Sequence, residues 1–354
     1  MYHENQWFAH VFKRTDPGQV ASTPETYGNY VYFANQKQYP DQPGSDNQSR
    51  IGTEPYAHPN AAPASGDAED SLLSKTYEIF LRSRKEGNFR NEKEAQEATE
   101  VVLDLAEIPW IQSRQLRNTV IHKVKMSDDH SLVAFTVDIG NTEFLTGGVR
   151  DMKENRVLPQ LMLPNIGQIE FGGGDSPKHL YYTEVDEYNR PCRVKRLNIE
   201  TRESTTLFTD VDPTHYVDIG VTKDSKFLVI SSNTKEDSEI WVLPRESYHE
   251  EGVEDQFVTP VKVIKRKQGA RAHIDHLRDY FVTITTDCTE KKNFKLATLQ
   301  DDQLIDGSVP ELESWEDLLA PGMSSQDLVI TEFDAFKDFL AIYCKKNGVP
   351  EILV

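Results

Sequence analysis

Cysteine is scarce in this sequence. Its 354 residues include three cysteines, Cys192, Cys288 and Cys344, which lie far apart and show no Cys-x-x-Cys spacing. An odd, sparse count argues against a disulfide framework and favours a reducing compartment. The sequence also lacks a run of about 18 apolar residues that could span a membrane, and it lacks the basic and then apolar start of a secretory signal. We therefore expect a soluble, cytoplasmic protein that does not enter a membrane.

Basic residues are also fewer than acidic ones. Lys and Arg number 39 against 58 Asp and Glu, which gives a formal net charge of −19. This charge would repel a phosphate backbone, so nucleic acid is not expected as a partner, whereas a basic peptide would be attracted. Solubility alone explains the same charge, and composition does not separate the two explanations.

Long helical patterns are missing beyond Trp110. Short strands alternate there with polar turns, and comparable apolar strands begin near residues 131, 180, 227, 280 and 338. The spacing of roughly 50 residues is close to the length of a four-stranded propeller blade. Parallel α/β folds need helices between their strands, and a β-sandwich rarely has five units of this length. The pattern predicts an all-β fold, a β-propeller of four-stranded blades.

The chain is expected to have a lead-in before this propeller. Residues Glu4 to Phe12 have the apolar spacing of a short amphipathic helix, so we predict a helical lead-in over residues 1–20 and a partial propeller over residues 21–354. From Tyr39 to Ala68 the one large aliphatic residue is Ile51. Such a segment cannot bury enough apolar surface to offset its ordering entropy. We therefore expect a mobile, low-complexity insertion over residues 39–75.

The units can be counted along the chain. If Tyr27 to Leu105 is the first unit, five units precede a sixth that begins near Leu328, and the sequence stops inside the expected third strand of that sixth unit. A propeller buries its sheet faces only where neighbouring blades stack on both sides. We therefore expect apolar surface on the open faces of the first and last units, with self-association or poor solubility as the result.

Several blocks in a fixed order carry a family resemblance. The clearest runs from Leu180 to Pro191 and contains Tyr181-Tyr182-Thr183, Asp186 and Arg190-Pro191. The other blocks are Gly28–Phe33, Val217–Leu243, Asn293–Leu296 and Asp334–Pro350. In this order they resemble the prolyl oligopeptidase family, and within it the oligopeptidase B branch. The resemblance implies an N-terminal propeller of about seven blades, of which this sequence covers five to six.

The resemblance also implies where catalysis resides. Members of the family hydrolyse peptides with Ser, Asp and His in an α/β-hydrolase domain that follows the propeller, with the Ser on a Gly-x-Ser-x-Gly elbow. The two Gly-x-Ser segments here, at Gly174 and Gly322, lack the second Gly. We therefore take the catalytic domain to be absent from this sequence and expect the chain alone to be inactive. No catalytic, cofactor-binding or metal-binding residue is assigned, and no cofactor is expected.

For the whole enzyme, the resemblance implies hydrolysis of short peptides, after Arg or Lys, with the propeller gating access to the triad. The catalytic domain and basic peptides are then the expected partners. The alternative is a non-catalytic binding or scaffold propeller derived from the same family. An ordinary WD-repeat scaffold is not favoured, because none of the four Trp residues is followed by Asp.

Two pairs of polar residues have structural interpretations. Asp186 is expected to accept a turn amide or to pair with Arg190, both being turn residues. His273 and His276 suggest a metal site at first sight. On an extended strand, however, they point to opposite faces and cannot share one ion.

Two further patterns are interpreted in the same way. The basic run of Lys262, Lys265, Arg266 and Lys267 is short within an acidic chain, and a solvated edge strand explains it better than a basic binding patch. The segment Gly172-Gly173-Gly174 is not followed by the Lys-Ser/Thr and helix of a phosphate loop. We interpret it as a turn.

Overall fold

The computed structural model describes residues 25–38, 76–84, 99–174, 177–245, 259–286, 294–304, 311–319 and 328–354. These residues form β-strands joined by turns, and no helix of seven or more residues occurs among them. The short 3₁₀ segments are Leu105–Glu107, Leu116–Asn118, Pro159–Leu161, Asp301–Leu304 and Leu312–Ser314. The all-β prediction is confirmed. The predicted helix at Glu4 to Phe12 and the predicted insertion at 39–75 lie outside the described residues.

The chain divides into two compact units, Met1–Ile121 with Val137–Thr142, and His122–Thr136 with Glu143–Val354. The first unit contains an antiparallel sheet of β1 (Glu25–Tyr27), β2 (Tyr30–Gln38), β3 (Thr76–Arg84) and β4 (Thr99–Asp104), in that order. Its buried side chains include Phe33 and Leu103. An ion pair from Lys37 Nζ to Asp104 Oδ2, 2.5 Å long, joins β2 to the end of β4.

The next sheet contains eight strands. They are β5 (Thr119–Met126), β6 (Leu132–Ile139), β7 (Leu145–Asp151), β8 (Arg156–Val157), β9 (Leu163–Phe171), β10 (His179–Val185), β11 (Pro191–Asn198) and β12 (Ser204–Thr209). Strand β9 pairs with β7 near its start and with β10 over the rest of its length, and Ile166 has a partner on each side. Two groups of four strands are therefore joined by backbone hydrogen bonds through β9.

Three smaller antiparallel sheets follow. They consist of β13 (Tyr216–Val221), β14 (Phe227–Asn233), β15 (Ser238–Pro244) and β16 (Val261–Ile264), then β17 (Ala272–Leu277), β18 (Tyr280–Thr285), β19 (Lys295–Gln300) and β20 (Glu316–Asp317), and finally β21 (Leu328–Ala335), β22 (Leu340–Lys346) and β23 (Val349–Leu353). Neighbours in sequence are neighbours in each sheet. The outermost strand of the last sheet, β23, exposes Val349 and Ile352.

The predicted spacing of units matches this topology. The second strands of the five groups after β4 begin at residues 132, 179, 227, 280 and 340, where the sequence predicted starts near 131, 180, 227, 280 and 338. The sixth group begins at Leu328, as predicted. The periodicity arises because each second strand is a run of buried apolar and β-branched residues that follows a polar turn.

The apolar core of the second unit lies between successive sheets. One cluster packs Ile240 and Val242 of β15 against Ile274 and Phe281 of the next sheet. A corresponding cluster places Val282 and its neighbours against Phe333 of the last sheet. From β13 onward, each sheet thus buries a face against the sheet that follows it, which is the packing expected of successive propeller blades.

Close packing at the β9–β10 junction leaves no room for a side chain on Gly167. A Cβ built there would lie 2.7 Å from Thr183 Oγ1 and 3.2 Å from Pro191 Cγ. The Thr183 hydroxyl cannot retreat freely, because it accepts a hydrogen bond of 2.8 Å from the amide of Gln168. We expect Gly167→Ala to lower the free energy of unfolding by about 1–3 kcal/mol, measured by urea denaturation. The matched control is Gly220→Ala on β13, where no atom lies within 4 Å of the added Cβ. An equal loss in both variants would contradict the packing argument.

Candidate functional site

Two of the strand-to-strand turns share a side-chain hydrogen-bonding pattern. After β5, the Ser127 hydroxyl donates to Asp129 Oδ1 at 2.6 Å and accepts the amide of Leu132 at 2.9 Å. After β13, the Thr222 hydroxyl donates to Asp224 Oδ1 at 2.9 Å and accepts the amide of Phe227 at 3.1 Å. In each turn a Ser or Thr is followed by a charged residue and an Asp, and these side chains close the turn.

Asp224 of the second turn contacts His276 of β17. The His276 side chain is fully buried, at 0% exposed. Its Nδ1 lies 2.5 Å from Asp224 Oδ2, and its Nε2 lies 2.7 Å from Asp301 Oδ1. When the ring is protonated, both of its nitrogens donate, and each carboxylate accepts one hydrogen bond. Burial alone would lower the pKa of His276, but hydrogen bonds and charges from the two carboxylates raise it above its ordinary value.

The carboxylates around His276 respond in opposite directions. Burial raises the pKa of Asp224, yet the hydrogen bonds from His276 and Thr222 outweigh it and hold that pKa below its usual range. Burial raises the pKa of Asp275, although that carboxylate accepts 2.8 Å hydrogen bonds from the amides of Lys223 and His276. Through its contacts with Asp224 and Asp301, His276 connects strand β17 to the β13–β14 turn and to the segment after β19.

A groove of about 720 Å³ opens beside His276. It runs along the turns that follow β13, β17 and β21, and its lining includes Lys223, Lys226, Arg278, Phe336, Lys337 and Asp338. His276, Leu277 and Ala335, all buried, contribute to the same lining. This groove is the candidate functional site, because it combines concave apolar surface with charged groups from three successive sheets.

The structure places the two histidines of the sequence pattern in different surroundings. His276 is buried between carboxylates, whereas His273 is exposed and its ring lies 5.7 Å from that of Phe333. Within the described ranges, no group of three or more His, Cys, Asp or Glu side chains is arranged to hold a metal ion. The two imidazoles therefore do not converge on one site.

The Asp186–Arg190 turn has both of the predicted interactions. Asp186 Oδ1 accepts the amides of Tyr188 and Arg190 at 3.0 Å, and Arg190 Nε donates to Asp186 Oδ2 at 2.9 Å. Arg190 also reaches the next sheet, since its Nη1 donates to the carbonyl oxygens of Asp212 and His215 at 2.7 and 2.9 Å. The segment that precedes β13 is thereby fixed to the β10–β11 turn.

The basic run is neutralised locally. Strand β16, which carries Lys262, is the outer strand of its sheet. Lys262 Nζ lies 3.1 Å from Glu239 Oε1 and 4.6 Å from the centre of the Trp241 ring. Arg266 pairs with Asp210 and, at 3.3 Å, with Glu239. These contacts agree with the edge-strand interpretation rather than with a free basic patch.

The glycine run is a turn, as predicted, but it has an additional role. The Gly173 amide donates to the carbonyl of Arg245 at 2.9 Å, and the Gly174 amide donates to Asp128 Oδ2 at 3.2 Å. Arg245 in turn holds Asp128 with two parallel hydrogen bonds of 2.8 and 3.0 Å, and its Nε donates to the carbonyl of Phe171. Sequence reasoning did not identify this pair, because its two residues are 117 positions apart.

Comparison with known proteins places these features in a family. The model of the prolyl oligopeptidase N-terminal β-propeller domain matches residues 70–354. "Protease 2" of Moraxella lacunata is 26% identical over 292 residues, which are 80% of this chain and 38% of that protein. "Prolyl endopeptidase-like" of Gallus gallus is 26% identical over 232 residues, 64% of this chain and 28% of that protein.

Solved structures agree on the fold. Oligopeptidase B from Leishmania major superimposes with a TM-score of 0.64 at 19% identity, over 99% of this chain and 40% of that one. Oligopeptidase B from Trypanosoma brucei gives 0.60 at 18% identity, over 99% and 40%. The chain thus spans well under half the length of these relatives. Together with the sheet topology, the match over residues 70–354 shows that the chain belongs to the prolyl oligopeptidase family and carries its N-terminal β-propeller domain.

Proposed function

We propose that this propeller acts with an α/β-hydrolase domain and filters the peptides that reach its catalytic serine. The observation that carries the proposal is the family match over residues 70–354, a domain defined by its place in prolyl oligopeptidases. The relatives that match are named as a protease, an endopeptidase-like protein and oligopeptidases. The reaction is then hydrolysis of short peptides, and the chain by itself is inactive.

We further propose that the substrates are basic peptides cleaved after Arg or Lys. The net charge of −19 supports this, because an acidic domain raises the local concentration of cationic peptides and speeds their encounter with the enzyme. The attraction is long-range and weakens with salt, since the Debye length falls to about 8 Å at physiological ionic strength. We place the complex in the cytoplasm, which the sparse cysteines favour.

Mixing this chain with a separately produced hydrolase domain of Leishmania major oligopeptidase B tests the proposal. We expect the mixture to cleave a short chromogenic arginine peptide at least about tenfold faster than either component, a lowering of the barrier by about 1.4 kcal/mol. Cleavage of a folded protein substrate should not increase. A pull-down between the two components shows whether they associate.

The opposite result would favour the alternative function, a non-catalytic binding propeller. In that case the hydrolase domain would neither bind nor be activated, and a different protein would bind the propeller stably. Self-association through the open faces of the first and last units is a separate prediction, which size-exclusion chromatography with light scattering would test.

A further inference from the structure

Large apolar side chains are exposed on three connecting segments at one edge of the sheets in the second unit. Phe144 of the β6–β7 turn is 41% exposed, and Tyr188 of the β10–β11 turn is 82% exposed. Val211, between β12 and β13, is 87% exposed, and Tyr216, the first residue of β13, is 59% exposed. Single apolar residues are common on protein surfaces, whereas a group of them marks a surface that another molecule covers.

A hydrogen bond joins the β6–β7 turn to the β10–β11 turn. Asn189 Nδ2 donates to the carbonyl of Glu143 at 2.8 Å. Both residues have a positive φ, 59° and 66°, which is an uncommon conformation for glutamate. Because Phe144 follows Glu143 and Tyr188 precedes Asn189 in the sequence, the bond joins the two turns that carry the exposed rings.

The guanidinium of Arg190 joins the β10–β11 turn to the segment before β13. It donates to the carbonyls of Asp212 and His215. Val211 precedes Asp212 and Tyr216 follows His215 in the sequence. All four exposed apolar residues are therefore adjacent to residues that bond one segment to another. We refer to the surface that the four side chains form as the apolar rim.

The segment before β13 is also fixed from within its own sheet. The His215 side chain is 4% exposed, and its Nε2 lies 3.0 Å from Asp237 Oδ1 in the β14–β15 turn. Its Nδ1 lies 3.1 Å from the hydroxyl of Thr214. The apolar rim is thus held in place before a partner binds, which reduces the entropy cost of association.

Charged groups of both signs border the apolar rim. Glu143 and Glu187 are exposed, and Asp212 Oδ2 lies 3.9 Å from Arg266 Nη1. Lys235, on the β14–β15 turn, is also exposed. A partner is therefore recognised here by its apolar surface, with no requirement for a strong net charge.

The apolar rim lies at the edge where the chain passes from one sheet to the next. Successive strands of an antiparallel group reverse direction, so the start of the first strand, the turn between the second and third strands and the end of the fourth share one edge. The β6–β7 and β10–β11 turns join second to third strands, and the segment between β12 and β13 joins two groups. Strand β13 runs from the rim to the groove at Lys223, so the groove lies at the opposite edge.

We propose that the apolar rim is the docking surface for the α/β-hydrolase domain, which buries Tyr188 and Val211 in the interface. The inference rests on the proposed function, which supplies the partner. This chain covers 40% of Leishmania major oligopeptidase B, so most of that protein lies outside the match and has to be positioned against the propeller. A domain that precedes the first strand of a group or follows its fourth strand emerges at the rim edge, where it covers the exposed side chains.

Substitutions on the rim test the inference with the separately produced hydrolase domain. Tyr188→Ser or Val211→Ser should weaken association about tenfold, measured by biolayer interferometry, because each removes one apolar side chain from the interface. The matched control is Val354→Ser, since Val354 is as exposed as Val211, at 87%, and follows the end of β23 at the groove edge. It should leave the affinity unchanged. All three side chains are exposed, so each variant should keep the melting temperature of the unmodified chain.

Hydroxyl-radical footprinting of the mixture provides a second measurement that needs no substitution. Oxidation of Tyr188 and Tyr216 should slow at least about threefold when the hydrolase domain is bound, because an interface excludes water from its buried side chains. Phe336 and Phe339 are exposed at the groove edge and serve as internal controls. Their oxidation should not change.

The outcomes separate this inference from the proposed function. If the unmodified chain does not bind the hydrolase domain, both fail. If the chain binds and activates that domain while Tyr188→Ser and Val211→Ser retain full affinity, the docking surface lies elsewhere and only this inference fails. Protection of Phe336 and Phe339 in place of the two tyrosines, or an equal loss of affinity in Val354→Ser, would also overturn it alone.

Discussion

Replacing His276 by leucine is expected to lower the free energy of unfolding at pH 6 by about 3 kcal/mol, because two carboxylates lose the buried cation between them. Asp224 and Asp301 approach the ring to 2.5 and 2.7 Å, while the imidazole is fully buried. The carboxylates themselves are 21% and 33% exposed, which keeps the loss at the lower end of the range for a broken buried pair. Urea denaturation monitored by tryptophan fluorescence gives the value.

The same substitution should change how stability depends on pH. The folded-state pKa of His276 is raised above its ordinary value of about 6.5. The stabilisation is therefore complete below pH 6.5 and is lost as the pH rises through the folded-state pKa. The unmodified chain should therefore lose stability as the pH rises from about 6 through that folded-state pKa. His276→Leu should lose less stability over the same interval.

The control is His273→Leu, on the exposed side of the same strand. It removes an imidazole without breaking a buried ion pair, so we expect a change within about 0.5 kcal/mol. If the two variants showed equal stability at pH 6, the carboxylate–imidazolium–carboxylate arrangement would not contribute as described.

Arg245→Met should lower the free energy of unfolding by about 3 kcal/mol. The guanidinium is 6% exposed and forms parallel hydrogen bonds of 2.8 and 3.0 Å with Asp128. It also donates at 3.0 Å to the carbonyl of Phe171, so methionine leaves a carboxylate and a carbonyl without this donor. The free energy of unfolding of Arg245→Lys should lie between those of the unmodified chain and Arg245→Met. An ammonium keeps the positive charge but cannot form the two parallel hydrogen bonds of the guanidinium. Thermal and urea denaturation measure both variants.

Arg156→Met is the matched control for this prediction. Arg156 pairs with Glu154 at 2.5 Å, but both side chains are more than half exposed. Exposed pairs contribute about 0–1 kcal/mol, so the control should remain close to the unmodified chain. Similar losses at positions 156 and 245 would show that burial of the Arg245 pair adds nothing.

Much of the fold could be predicted from local patterns in the sequence. Strand β14 begins at Phe227 and β18 at Tyr280, as the sequence predicted, because each is a short apolar run bounded by polar turn residues. Turn chemistry is equally local. The Phe227 amide donates to the Thr222 hydroxyl, which donates to Asp224, and these three residues lie within six consecutive positions.

The candidate site could not be predicted in this way, because distant residues form it. Alternation along β17 separates His273 from His276. It does not indicate that His276 contacts Asp224, 52 positions earlier in the sequence, and Asp301, 25 positions later. Those contacts depend on how one sheet stacks on the next. The groove could not be predicted either, because its basic residues come from three turns that are far apart in the sequence.

Strand β9 has a consequence for how the length of the chain can vary. In most strands, inserting one residue shifts the pairing with neighbours of the same group and can be absorbed by a bulge. In β9 the insertion would disturb the pairing with β7 and with β10 together, because Ile166 has partners in both strands. One-residue insertions and deletions should therefore be poorly tolerated between Leu163 and Phe171.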